Sequence, residues 1–237
     1  MALLEDLWVA PPRAHAAGRH CFSLALPALQ LLDRSLRPGM RTLEVGCGAS
    51  TVVFAAAGTD HTTISPDAFE HDTVREWCAE RDVDISGVTF VAESSHAVLP
   101  TSEGELDLVL IDGAHGFPYP ILDWFHTQHR LKVGGLLLID DAFIPTVGVV
   151  VRHLRSSPQA WELVEVAGDR LPVFRKLSDD LPPFHDWGRY SSHASFSYLP
   201  LARRMPAATK SVIARRVPYG IQFSRWVGRQ KRRRRSG

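Results

Sequence analysis

Residues 41–50 read Arg41-Thr42-Leu43-Glu44-Val45-Gly46-Cys47-Gly48-Ala49-Ser50. Arg41 to Val45 has the composition of a short strand and runs straight into a Gly-rich turn. Two glycines one residue apart let the backbone turn tightly and leave room for a ligand against main-chain atoms. Ser50 is placed to cap a following helix, over roughly Thr51 to Ala57. Strand, glycine turn and helix in this order open an α/β unit.

Outward from this stretch the alternation continues. A weak strand at His61–Ile64 precedes Ser65-Pro66, where proline at a first helical turn starts a helix ending near Arg81. Val88–Ala92 is a third strand, and Leu106–Asp112 a fourth whose apolar run fits burial on both faces. A helix over Tyr119–Leu131 ends at Val133-Gly134-Gly135, and Leu136–Asp140 is a fifth strand. Thr146–Arg155 reads as helix, then 161–166 and 170–176 as a closing pair of strands around Gly168-Asp169. Before the first strand, Phe22, Leu24, Leu29, Leu32 and Leu36 mark a helix over His20–Leu36, bent at Pro27 and stopped by Pro38-Gly39. Strands separated by helices predict a doubly wound, mainly parallel sheet.

The chain has 237 residues, 45% of them in the hydrophobic set, which is ordinary for a globular protein and excludes wholesale disorder. It has no run of 18 apolar residues, and two acids stand at positions 5 and 6, where a secretion signal would be basic. Cys21, Cys47 and Cys78 form no CxxC pair, so a reduced, cytoplasmic setting is expected. The formal net charge of +1 hides a strong polarity. Residues 1–186 carry all 26 acids against 14 Lys and Arg, whereas 187–237 carry 13 basic residues and no acid. With Pro182-Pro183 as punctuation, three parts are expected: a helical lead-in (1–40), a ligand-binding domain (41–178) and a basic extension (179–237).

In an open parallel sheet, ligands bind beyond the carboxyl ends of the strands, next to the first one. Glu44 puts a carboxylate there, where it could meet a cationic group. A dinucleotide fingerprint needs a third glycine, but position 51 is Thr. A nicotinamide-dependent oxidoreductase therefore stays open as the weaker enzymatic alternative. A non-catalytic module that docks through its basic end is the other.

Three segments carry a resemblance: Leu43 to Ser50, then Asp107-Leu-Val-Leu-Ile-Asp-Gly-Ala-His115, then Leu131-Lys-Val-Gly-Gly-Leu-Leu-Leu-Ile-Asp-Asp141. Their order and spacing resemble class I S-adenosylmethionine-dependent methyltransferases, in the branch of small-molecule O-methyltransferases. The resemblance runs from about Arg41 to Lys176 and implies a seven-stranded, mostly parallel, Rossmann-like sheet with an antiparallel last strand. It implies S-adenosyl-L-methionine as cofactor, with Glu44, Gly46, Gly48 and Ser50 around its methionine part. Ser65 stands where the family has a ribose-binding acid, and the nearest acid is Asp67. Glu93 and Ser95, after the third strand, would lie near the adenine.

Asp112, Asp140 and Asp141 end neighbouring strands, and buried carboxylates require partners. They could hold Mg²⁺, which prefers carboxylates and water and would acidify an acceptor hydroxyl. Alternatively His115 acts as general base beside Asp112 and Asp141, since its ordinary pKa near 6.5 suits proton removal. No [ND]-PP-[YF] motif of amino-group methyltransferases is present, which favours oxygen as the acceptor atom. The expectation is thus O-methylation of a small molecule or sugar hydroxyl. The basic extension mixes Trp226, Phe223 and Ile213 with arginines and suits an anionic membrane surface at the inner face of the cell. No RNA-binding or zinc signature supports nucleic acid as a partner.

Overall fold

The computed structural model describes residues 2–12 and 24–180. Cys21, the first residues of the expected 20–36 helix and the basic segment 187–237 lie outside them, and with that segment the expected membrane contact. In chain order the elements are α1 (Ala2–Val9), α2 (Leu26–Ser35), β1 (Arg41–Val45), α3 (Ala49–Ala56), β2 (Asp60–Ile64), α4 (Ala68–Ala79) and β3 (Val88–Val91). There follow the short α5 (Ser95–Val98), β4 (Leu106–Ile111), α6 (Tyr119–Thr127), β5 (Leu131–Ile139), α7 (Pro145–Arg155), β6 (Trp161–Ala167) and β7 (Leu171–Lys176). Among the described residues no helix is long and apolar enough to cross a membrane.

The seven strands form one sheet in the order β3-β2-β1-β4-β5-β7-β6. The first five pair in parallel, and β7 inserts antiparallel between β5 and β6. The sheet is covered on both faces. Leu108 and Leu110 of β4 join Leu29 and Leu32 of α2, Phe54 of α3 and Trp77 of α4. Val109 and Ile111, pointing the other way, join Val147, Val150 and Leu154 of α7 and Phe174 of β7. A strand buried on both faces has no polar side to show, which is why residues 108–111 read as one apolar run.

Several local expectations needed correction. Pro27 sits in the first turn of α2 and starts the helix instead of bending it, because its missing N–H falls where no helical partner exists. Gly134-Gly135 does not end an element but lies inside β5, which begins at Leu131. There the β4–β5 register slips between Leu106 and Leu108. A Cβ on Gly135 would stand 2.9 Å from Lys132 O and 3.0 Å from Asp107 O, so only glycine passes that close approach. The helix over 119–131 stops at Thr127. Below it, the buried Lys176 ammonium donates to the carbonyls of Gln128 (2.8 Å) and Leu131 (2.7 Å), tying β7 to the α6–β5 connection.

Because all strands from β1 to β5 run the same way, the residues after them gather at one edge. Gly46–Gly48, Ser65, Ser94, Asp112 and Asp141 all sit there. The two-faced burial of β4 holds that edge together. Leu110→Ala is therefore expected to destabilise the protein by about 2–5 kcal/mol. Leu163→Ala, at a β6 side chain 39% exposed, should stay within about 0.5 kcal/mol. Urea unfolding of both variants checks the contrast.

Candidate active site

The edge holds a cavity of about 880 Å³, within the range usual for small-molecule sites. Its wall includes Gly46, Gly48 and Ser50 from the first turn, Ser65, Asp67 and Glu70 near β2, and Ser94 and Ser95 after β3. Asp112 and His115 after β4, Asp141 after β5 and Arg170 from the β6–β7 turn complete the polar lining. Tyr119, Phe143, Ile144 and Leu24 supply apolar surface.

Glu44 lies beneath the glycine turn and is 1% exposed. Ser50 Oγ donates to Glu44 Oε1, and Thr51 Oγ1 donates to Oε2 at 2.7 Å. The same Thr51 hydroxyl accepts the Gly48 N–H at 3.0 Å. His61 Nε2 comes within 3.5 Å of Oε2, while its Nδ1 lies 2.8 Å from Thr42 Oγ1 and its ring stacks on Phe54. The carboxylate thus braces the turn from below. Ser50, expected as the cap of α3, is inside that helix with its hydroxyl turned to Glu44. Burial and the nearby Glu44 push the Cys47 thiol up to about 12, so it stays protonated.

The two glycines differ. Gly46 has φ +116°, and a Cβ there would stand 2.6 Å from Asp112 O. Its lack of a side chain serves the close approach of β1 and β4. At Gly48 an added Cβ meets no atom within 4 Å, so this is the residue that leaves open space for a ligand.

At the end of β2, Asp67 is the N-cap of α4, with Oδ1 accepting the Phe69 N–H at 2.9 Å. The acid that reaches Ser65 is Glu70, whose Oε2 accepts from Ser65 Oγ at 2.5 Å. Sequence reasoning missed Glu70, because an acid in a first helical turn is already explained by the helix dipole. After β3, Ser94 and Ser95 line the cavity, whereas Glu93 is exposed and outside the lining. Beside them, burial raises the Asp123 carboxyl to about 6.

The acids after β4 and β5 meet a cation from another element. Arg170 Nε donates to Asp140 Oδ1 at 2.9 Å and Nη2 to Oδ2 at 2.5 Å. The same Nη2 lies 2.7 Å from Asp141 Oδ1, and Asp141 Oδ2 lies 3.0 Å from His115 Nε2. Asp140 is 1% exposed, so the paired guanidinium is what makes its burial tolerable. Asp112 has no side-chain hydrogen bond among the described residues. Burial pushes its carboxyl well above the usual range, the charges of Asp140, Glu44 and Asp141 add to this, and Arg170 opposes them.

This arrangement bears on the expected Mg²⁺ at Asp112, Asp140 and Asp141. Among the described residues no group of three such side chains is arranged to hold a metal ion. Both Asp140 oxygens and one of Asp141 already face the guanidinium. Arg170 carried no signal of its own in the sequence: it stands in a hairpin turn, 30 residues from Asp140.

Residues 43–142 match a family model described as a methyltransferase domain. Among solved structures, the O-methyltransferase TomG from Streptomyces achromogenes, involved in tomaymycin synthesis and solved with S-adenosylmethionine, is 17% identical with a TM-score of 0.59. That match covers 75% of this chain and 91% of TomG. An rRNA methylase from Streptococcus thermophilus is 13% identical with a TM-score of 0.51, over 67% of this chain and all of that one. TrmN from Thermus thermophilus is 20% identical with a TM-score of 0.49, over 64% of this chain, which spans only 49% of its length. No curated protein matches. The match over residues 43–142 and the sheet shared with these structures give the described part of the chain the fold of a methyltransferase domain.

Proposed function

We propose that the chain transfers the methyl group of S-adenosylmethionine to a hydroxyl of a small molecule, with His115 as general base. The observation that carries this reading is His115 Nε2 at 3.0 Å from Asp141 Oδ2 in the wall of the cavity that Gly46–Gly48 also lines. With Nε2 lying against the Asp141 carboxylate, Nδ1 is left to accept a proton. Thr146 Oγ1 donates to the His115 carbonyl at 2.5 Å and pins the loop that carries the ring. The acceptor oxygen attacks the methyl carbon while the carbon–sulfur bond breaks. The electron pair stays on sulfur, giving S-adenosylhomocysteine, and the hydroxyl proton passes to His115. The sulfonium is already activated, so positioning and proton removal can supply most of the rate.

On this reading the Gly48 backbone borders the methionine part of the donor. Glu70 and Ser65 accept the ribose hydroxyls in place of the acid absent from the end of β2, and Ser94 and Ser95 face the adenine. Asp112 offers negative charge to the donor's ammonium and sulfonium. Burial holds Asp112 towards its neutral form in the free protein, and a bound cation favours the charged form. The net charge of −12 over residues 1–186 also favours a small acceptor over a phosphate backbone.

Three outcomes are expected. Gly48→Leu removes S-adenosylmethionine binding in calorimetry with little change in melting temperature, since its side chain meets only open space; retained affinity refutes the placement. His115→Gln lowers kcat by about 10²–10⁴-fold with donor affinity unchanged, measured on an acceptor found by mass spectrometry of methylated products. Asp112→Asn stabilises the free protein at neutral pH. The native carboxyl keeps its proton at pH values where the unfolded one ionises, so wild-type stability falls as pH rises from about 4 towards the native pKa. The variant lacks that loss. Melting curves should coincide near pH 4 and separate by pH 8, at about 2–4 °C per kcal/mol.

A further inference from the structure

Among the described residues Arg170 is the one strong cation in the cavity wall, and the proposed methyl transfer has no step on it. It arrives from the β6–β7 hairpin, whose turn is sewn to the end of β5. Ala142 N donates to Arg170 O at 3.0 Å, next to the Asp140 and Asp141 side chains that the guanidinium grips. Asp141 has φ +55°, a left-handed conformation that aspartate adopts more readily than most side chains and that Asp82 and Asp169 also hold. The guanidinium lies 2.7 Å from Oδ1, the Ala142–Arg170 bond ties the two turns together, and Oδ2 lies 3.0 Å from His115 Nε2.

A divalent ion such as Mg²⁺ needs an octahedral set of oxygens at about 2.0–2.1 Å. Of the four oxygens on Asp140 and Asp141, three face the guanidinium and the fourth faces His115. The charge and the aim that a metal would bring to these carboxylates are thus already supplied by a side chain. A planar guanidinium that donates to both oxygens of one carboxylate fixes orientation as well as charge.

We propose that Arg170 takes the place of a divalent cation at the ends of β4 and β5. It acts as a positioning residue that neutralises Asp140 and holds Asp141 against His115, so that methyl transfer to the acceptor proceeds without metal. This rests on the methyltransferase reading above. It goes beyond that reading by assigning a role to a residue from a separate element and by making the reaction indifferent to divalent ions.

The test has a binding arm that does not depend on turnover. Manganese(II), used as the probe and followed by electron paramagnetic resonance on the full chain, should not bind at this site in the wild type. Arg170→Ala, which releases the carboxylates, should acquire one Mn²⁺, and adding Asp140→Asn to that variant should remove it. Saturable Mn²⁺ binding by the wild type that Asp140→Asn abolishes overturns the proposal. If Arg170→Ala does not fold, the wild-type titration still decides. In the activity arm, wild-type turnover should be unchanged by excess EDTA and by added Mg²⁺. Arg170→Gln should lose about 10–100-fold in kcat at unchanged affinity for S-adenosylmethionine, and Arg170→Lys should recover part of it. Loss of turnover in EDTA that Mg²⁺ restores, or full turnover by Arg170→Gln, refutes it. A wild type that binds neither Mn²⁺ nor S-adenosylmethionine would sink the methyltransferase reading while leaving the arginine's displacement of metal standing.

Discussion

Four carboxylates converge on one edge of the parallel sheet, and the means by which each is made tolerable shapes the site. Glu44, at the end of β1, is buried under the glycine turn and accepts from Ser50 and Thr51. Asp140, at the end of β5, is gripped by Arg170. Asp141 stands between that arginine and His115. Asp112 has no side-chain hydrogen bond among the described residues, and its carboxyl is driven towards the neutral form. Leaving any of these ionised and unpaired would cost several kcal/mol, so the partners are part of the fold as much as of the chemistry.

The division separates fully buried acids from those that reach the cavity wall. Glu44 and Asp140, each 1% exposed, brace backbone and guanidinium. Asp112 and Asp141 reach the cavity wall, one without a fixed partner and one against an imidazole. A cationic ligand suits such an edge, because carboxylates held by the fold can meet its charge. Tyr119, Phe143, Ile144 and Leu24 make part of the lining apolar.

Strand and helix order was legible along the chain, because the alternation of apolar runs with turns is a local signal. The edge that carries the site followed from it, since parallel strands place their carboxyl ends together. Legibility failed where a residue had two explanations of similar local quality. Ser50 fits a helix cap and also a carboxylate partner, and the buried Glu44 beneath it decides for the second. Asp67 and Glu70 are both acids near the end of β2. The helix N-terminus claims the first, and the second turns back to Ser65. Val133-Gly134-Gly135 has the composition of a turn, yet its backbone continues β5 past Asp107.

The sequence alone determined the class of fold, the place of the cavity beside the Gly46–Gly48 turn and the gathering of Asp112, Asp140, Asp141 and His115 at one edge. Each of these follows from periodicity and from the order of strands along the chain. The tertiary structure alone decided which acids face the cavity and what partners the others find. That choice depends on Arg170, which comes from another turn, and a charge pair between distant residues leaves no periodic trace in a chain. Burial supplies the reason such pairs matter, because only inside the fold does an unpartnered carboxylate become too costly to leave alone.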